Sequence, residues 1–231
     1  EGPAKLVVAG CMPARYGDDL ASELGEAQAF VPCSKEDDIV EVLAGVLGDA
    51  APHASTPADA QSPWAASPAS YVKISDGCDR FCSFCAIPYI RGRYHSFPLE
   101  TVRASVAERV EAGVREITLI AQDTGRWGED FAEPSNTAAL LATLADEFPQ
   151  TWFRLMYIEP QGVSDELLDV IASKPNVCKY LDMPLQHASK PVLRAMNRRG
   201  DENSHRELVA RIRERVPGLT VRTTLIAGFP G

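Results

Sequence analysis

Residues 71–85 read Tyr71-Val72-Lys73-Ile74-Ser75-Asp76-Gly77-Cys78-Asp79-Arg80-Phe81-Cys82-Ser83-Phe84-Cys85, a short apolar segment running into three cysteines spaced C-x3-C-x2-C. The segment over 71–75 predicts a strand, and the loop that leaves it at Gly77 carries every cysteine of the motif. Three thiolates in one loop suit a soft metal site. A cubane iron–sulfur cluster takes four cysteines as a rule. Three leave one iron open, just as catalytic metal sites keep one position free. A structural zinc ion is the alternative, with His95 or Cys178 as its fourth ligand. Such zinc sites join two C-x2-C knuckles, or one knuckle and a distant H-x3-H pair, and no second knuckle occurs in the chain. The spacing favours the iron–sulfur cluster.

Working outward from this loop, apolar runs of strand length alternate with runs of helical period. The pattern predicts a helix over 98–111 with Leu99, Val102, Val106 and Val110 inward, and a strand over 117–121. A helix over 138–148 and a strand over 152–158 follow, then a helix capped by Ser164 and running to 172. A strand over 180–185, a short helix around 192–196 and a longer one with Leu208, Ile212 and Val216 on one side lead to a last strand over 220–226. Repeated βα units predict an α/β fold with a parallel sheet and right-handed crossovers. Function in such folds gathers at the carboxyl ends of the strands, which is where the cysteine loop leaves its strand.

Upstream, residues 51–70 are mostly Ala, Pro and Ser and hold no amphipathic period, so they read as a linker containing one aromatic, Trp64. Before it, residues 1–50 read as the tail of a small α/β domain. Leu6–Ala9 is a strand ending at Gly10-Cys11, and Ile39, Val40, Leu43, Val46 and Leu47 mark one helical face. Residues 71–231 form the main unit. The polar start, Glu1-Gly2-Pro3-Ala4-Lys5, lacks Met, and the end at Gly231 follows an apolar run directly. The chain is expected to be an internal piece of a longer protein.

Six cysteines in 231 residues, three of them in one metal-type loop, are too few for a disulfide scaffold and point to a reducing cytoplasm. No run of about 18 apolar residues is present to span a membrane. A net charge of −9 argues against a dedicated nucleic-acid surface. It suits a basic protein substrate, or simply a solvated surface.

Several segments together resemble the methylthiotransferases of the radical S-adenosylmethionine superfamily. They are Val8-Ala9-Gly10-Cys11, Tyr71 to Cys78, Ala86-Ile87-Pro88-Tyr89-Ile90-Arg91-Gly92, Ala121-Gln122-Asp123-Thr124 and Ile226-Ala227-Gly228-Phe229-Pro230-Gly231. Gln122-Asp123-Thr124 and Leu181-Asp182-Met183-Pro184-Leu185-Gln186-His187-Ala188-Ser189 are similar to the branch that modifies a ribosomal protein, rather than the transfer-RNA branch. The resemblance implies a truncated (βα)6-type radical barrel at 71–231, preceded by the end of the family's N-terminal domain at 1–50. It also implies a [4Fe–4S] cluster on Cys78, Cys82 and Cys85 that binds S-adenosylmethionine through its open iron. A second, auxiliary cluster is implied in the full-length protein. Of its three cysteines only Cys11 falls in this sequence; its partners and a C-terminal β-barrel substrate domain are expected outside it.

The same resemblance places Phe84 beside the adenine and Gln122 and Asp123 at the amino end of S-adenosylmethionine. Each has a plainer reading: loop packing for Phe84, turn capping for Gln122 and Asp123. Glu159, Gln186 and His187 end later strands at equivalent positions. Gly228 opens a turn where backbone can approach a ligand. Arg91 and Arg93 are candidates for a cofactor carboxylate or substrate, or are surface arginines. Cys33 and Cys178 read as structural thiols, and His53 and His205 as solvent-exposed.

The implied reaction inserts sulfur and a methyl group at the β-carbon of an aspartate in small-subunit ribosomal protein twelve. Its partners are that substrate and a flavodoxin-like reductant protein. Hydrogen abstraction by a radical needs no acid–base pair, and the sequence offers no carboxylate dyad or His-centred triad. No protein side chain is therefore expected to act as a catalytic acid or base. The alternatives are a transfer-RNA adenosine methylthiotransferase, which would want a basic surface, and a zinc-stabilised binding module without catalysis.

Overall fold

Strand runs in this chain are short, and most mix buried with exposed positions, as Ala69–Lys73 does by strict alternation. Glu116–Ile120 is the run buried nearly throughout, while the helices between the strands need only one apolar side. The computed structural model describes residues 4–48 and 67–230. They form two compact units, one made of residues 4–48 with Ala86–Arg93, the other of residues 67–85 with 94–230. Most of the expected linker, with His53 and Trp64, lies outside the described residues, as does Gly231. The end of that linker is corrected: Ala69 and Ser70 open a strand. Residues 86–93, expected in the main unit, group with the first.

In the first unit β1 (Val7–Gly10) pairs in parallel with β2 (Ala29–Pro32), joined by α1 (Cys11–Glu23), which breaks at Gly17. α2 (Ile39–Leu47) and the one-turn α3 (Ile87–Ile90) complete it. Gly10 takes φ 108° at the turn from β1 into α1, a conformation that glycine adopts without a Cβ penalty. The sequence pattern gave no sign of α1 or β2, since α1 buries only Pro13 and Leu20 and so carries no apolar stripe. α2 forms where expected, but none of its five apolar marker residues is buried, and Val40 is 66% exposed.

In the second unit β3 (Ala69–Lys73) gives way to a two-residue strand β4 (Ser75–Asp76), antiparallel to β5 (His95–Ser96). The single strand expected over 71–75 is thus two. Ile74, fully buried, is the switch: its N–H donates to Ile120 O (3.0 Å) while its carbonyl accepts from Phe97 N–H (2.9 Å). There follow α4 (Leu99–Glu111), β6 (Glu116–Ile120), α5 (Thr137–Glu147), β7 (Trp152–Leu155), α6 (Asp165–Ser173), β8 (Val177–Asp182), α7 (Lys190–Ala195), α8 (Glu202–Arg215) and β9 (Thr220–Arg222). The sheet order is β3-β6-β7-β8-β9, with every neighbouring pair parallel. The α/β class and parallel sheet are as the sequence predicted.

Side-chain caps start three of the helices. Asn136 accepts from Ala139 N–H at 2.9 Å, Ser164 from Leu167 N–H at 3.2 Å, and Asp201 forms a reciprocal capping box with Ser204. β7 stops at Leu155, short of the expected 158, because Tyr157 turns the chain with φ 61°. β8 starts earlier than expected, at Val177, beside Asn176, whose carbonyl accepts from Phe153 N–H at 2.8 Å. β9 stops at Arg222, beyond which only Leu225 keeps a bridge, to Gln186. His205 is not solvent-exposed as expected. It is buried against Gly200, where an added Cβ would approach Nε2 to 2.8 Å, and burial lowers its pKa.

The core gathers Ile117, Leu119, Phe153, Leu155 and Leu181 from the sheet with Val106, Leu141, Leu144, Leu168 and Ile212 from the helices. Phe153 is fully buried on the middle strand. Phe153→Ala is expected to lose about 3–5 kcal/mol, the cost of the missing ring plus the cavity. In urea this appears as a lower midpoint at unchanged slope; a loss under ~1 kcal/mol would place the ring outside the core.

Candidate cluster and cofactor site

Because every strand pair of the main sheet is parallel, the loops after β3, β6, β7, β8 and β9 leave one common edge. The first carries the cysteines. Gly77 (φ 71°) and Phe81 (φ 48°) bend it twice, and Cys85 N–H donates to Cys82 O at 2.9 Å. Cys78 is buried, and Cys82 and Cys85 are half-buried. Burial pushes the Cys78 thiol up, partly offset by Arg80 N–H, which lies 3.5 Å from its sulfur. Burial also pushes up the Cys82 thiol, opposed by Arg198 at 3.8 Å. Among the described residues no three His, Cys, Asp or Glu side chains are gathered closely enough to hold a single metal ion. A cubane asks for something else, one thiolate on each of three irons.

Neither candidate fourth ligand for zinc belongs to this loop. Cys178 sits near the start of β8, beside Trp152 and Arg154 at the amino edge of the sheet. His95 stands opposite Asp76 in β5, with its ring against Phe97 (centroids 5.6 Å apart). Cys33, in the first unit, is buried and donates to Ile90 O at 3.3 Å, consistent with its reading as a structural thiol.

The segment after α7 grips the cysteine loop from the far side of the sheet. Ser83 N–H donates to Met196 O (3.1 Å) and its hydroxyl to Ala195 O (2.9 Å). The Asn197 amide donates to the carbonyls of Arg80 and Phe81, each at 3.1 Å. Arg198 reaches three groups: Nη1 meets Cys82 Sγ and the carboxylate of Glu159, and Nη2 donates to Pro184 O at 2.8 Å. Among the described residues, the non-glycine positions with positive φ are Phe81, Tyr157, Gln186 and Asn197. All four lie in loops at this edge, where stored backbone strain is expected of a functional site.

The residues singled out from the sequence divide in two. Phe84 meets Phe229 edge to face at 6.5 Å, which brings it to the turn that Gly228 (φ 75°) opens. Asp123 is fully buried and its Oδ2 accepts from Arg80 (2.9 and 2.8 Å). Glu159 accepts from Arg198. Burial pushes the Glu159 carboxyl up from its ordinary range, against the pull of that guanidinium. Gln122 Oε1, Asp123 Oδ1 and Glu159 Oε2 are buried acceptors without a hydrogen-bond partner. Three orphaned acceptors on one edge suit a ligand that brings several donors, as an ammonium group does. Gln186 serves through its backbone, donating to Thr224 O (2.9 Å) and accepting from Ile226 N–H (2.8 Å). Arg91 and Arg93 fall in the segment that groups with the first unit, where Arg91 pairs with Glu36 at 4.0 Å.

Sequence reasoning missed Arg80, Asn197 and Arg198, and also Asp182, a buried carboxylate ending β8 whose Oδ1 has no partner. A cavity of about 410 Å³ lies here, lined by Asp79, Arg80, Glu159, Gln161, Arg194, Asn197, Arg198 and Arg199. The available signal was Asn197-Arg198-Arg199-Gly200 directly after a short helix, a left-handed-prone residue followed by cations.

The chain is similar to known proteins over nearly its whole length. Across 98% of its length the chain is 42% identical to the ribosomal protein uS12 methylthiotransferases RimO of Trichlorobacter lovleyi and Geobacter sulfurreducens, covering 52% of each. It thus spans about half the length of the curated relatives it matches. In fold it is similar to the radical S-adenosylmethionine methyltransferase TsrM from Kitasatospora setae, with TM-score 0.56 over 71% of this chain and 31% of that one at 16% identity. The cobalamin-dependent S-adenosylmethionine radical enzyme OxsB gives TM-score 0.54 over 68% and 23% at 12% identity. Residues 72–231, which begin within β3 just ahead of the cysteine loop and include every loop of the carboxyl edge, match the family model described as the Radical SAM superfamily. The chain belongs to that superfamily.

Proposed function

We propose that this chain supplies the radical S-adenosylmethionine core, and part of the preceding domain, of a methylthiotransferase. The whole enzyme would convert a C–H at the β-carbon of an aspartate in ribosomal protein uS12 into C–S–CH3. The observation that carries this reading is the 42% identity, over 98% of the chain, to enzymes named for that protein and that group.

On this reading Cys78, Cys82 and Cys85 each hold one iron of a [4Fe–4S] cluster. Phe84 and the Gly228-Phe229 turn flank the adenine of S-adenosylmethionine. Gln122, Asp123 and Glu159 offer their orphaned oxygens to its amino group, and Gln186 shapes the neighbouring backbone. The bound cluster and cofactor supply one-electron chemistry able to break an unactivated C–H bond, which no side chain of the protein can do alone. The half-buried ion pair Arg80–Asp123 and the buried pair Arg198–Glu159 keep the surrounding loops fixed. Cys11 is assigned to the auxiliary cluster, and a flavodoxin-like reductant protein to the delivery of electrons.

Mass spectrometry of ribosomal proteins and of transfer-RNA nucleosides from a strain deleted for the gene tests the substrate. Loss of the methylthio group from the uS12 aspartate alone is the expected result. Intact uS12 with a missing methylthio nucleoside would move the enzyme to the transfer-RNA branch.

A further inference from the structure

Arg198 lies in a place where a surface arginine has no reason to be. Its side chain is 6% exposed and that of Glu159 is 12% exposed, so the two charges face each other largely out of water. Arg198 Nη1 lies 3.8 Å from Cys82 Sγ, and Nη2 is fixed on Pro184 O at 2.8 Å. The positive member of a buried ion pair thus lies 3.8 Å from the sulfur of one cluster ligand, and Glu159 is its counter-charge.

We infer that the Arg198–Glu159 pair sets the reduction potential of the cluster held by Cys78, Cys82 and Cys85, with Arg198 as a positioning residue that raises it and Glu159 as the counter-charge that limits the rise. The inference rests on the cluster reading above and adds to it a role for two residues of this chain. Hydrogen bonds to cluster sulfurs, local net charge and solvent exposure set iron–sulfur potentials, and the groups that contact metal ligands are the usual lever. Reduction here means one electron entering the cluster, with no bond made or broken. The added negative charge is stabilised by a cation beside Cys82 and opposed by a carboxylate behind it. Burial makes both effects larger than they would be in water.

The two residues therefore predict shifts of opposite sign, which a merely structural pair would not give. The test is an anaerobic titration of the reconstituted chain with dithionite, followed by electron paramagnetic resonance, without S-adenosylmethionine. At a fixed poise Arg198→Gln is expected to lower the reduced-to-oxidised ratio about tenfold, ~59 mV for a one-electron couple. Glu159→Gln is expected to raise the ratio. Arg198→Lys keeps the charge and should fall between wild type and Arg198→Gln. The double variant, with both charges gone, should return toward the wild-type value. If Arg198→Gln fails to hold iron, Glu159→Gln decides alone: a raised ratio supports the inference and an unchanged one overturns it. Shifts of the same sign in the two single variants would also overturn it. A wild-type chain that takes up no iron would instead refute the cluster reading itself.

Discussion

Replacing any one of Cys78, Cys82 and Cys85 with alanine is expected to abolish reductive cleavage of S-adenosylmethionine. Loss of a group that merely orients a metal ligand costs about 10–100-fold, so loss of a ligand from a cluster that has only three should cost more than ~100-fold. Packing cannot explain such a loss equally at all three sites. Cys78 is buried, whereas Cys82 and Cys85 are half-buried, so their contributions to stability differ while their contributions to the cluster are alike. Cys178→Ala is the matched control. It removes a half-buried thiol at the amino edge of the same sheet and should leave cleavage unchanged. Iron and sulfide analysis of anaerobically purified protein accompanies the assay. Wild-type cleavage in any one of the three variants would remove that residue from the ligand set. Zinc in place of iron would return the loop to a structural role.

The parts of this fold that were legible in the sequence are those where one local signal is enough. The continuous apolar run at 117–121 reads as a buried strand and β6 forms there over Glu116–Ile120, Ser164 announced its helix, and three cysteines in eight residues marked a metal-type loop. What stayed hidden depends on partners far away in the chain. Ile74 reads as the middle of a strand, yet its N–H and C=O bond to different neighbours, Ile120 and Phe97, and only the folded sheet shows the switch. α1 carries two buried side chains in thirteen residues, too few for any period. His205 looks polar and therefore exposed, but α8 turns it under Gly200.

The site divides in the same way. Phe84, Gln122, Asp123 and Glu159 could be named in advance because motif or strand-end position marks them, and all four lie in loops at the carboxyl edge. Asn197 and Arg198 could not, because their importance lies wholly in contacts more than a hundred positions back, to Arg80, Phe81 and Cys82. Asp123 and Glu159 also turned out to be less free than their positions suggested. Each gives one oxygen to an arginine, Arg80 or Arg198, and keeps one buried oxygen unpartnered. Ion pairing thus fixes the carboxylates before any ligand arrives, and fixed acceptors spend less entropy on binding one.

Cys11→Ala, made in a protein of the full length of its curated relatives, is expected to leave S-adenosylmethionine cleavage intact and to eliminate the methylthio product. Cys11 opens α1 directly after β1, and it is exposed. An exposed side chain in the first turn of a helix contributes little to stability, within about 0.5 kcal/mol for most surface substitutions. A large functional loss therefore cannot be blamed on unfolding. Cys33 supplies the contrast within the same unit. It is buried and hydrogen-bonded to Ile90 O, so Cys33→Ala should lower the melting temperature and leave the ratio of product to cleavage events unchanged. Measuring 5′-deoxyadenosine and methylthiolated uS12 peptide in one reaction gives that ratio directly. For Cys11→Ala it should fall to background while deoxyadenosine continues to form, because a cluster without one of its ligands can no longer deliver sulfur but the other cluster still reduces the cofactor. Product at the wild-type rate would show that Cys11 is a surface thiol and nothing more, and the auxiliary ligands would then have to be sought entirely among residues outside this chain.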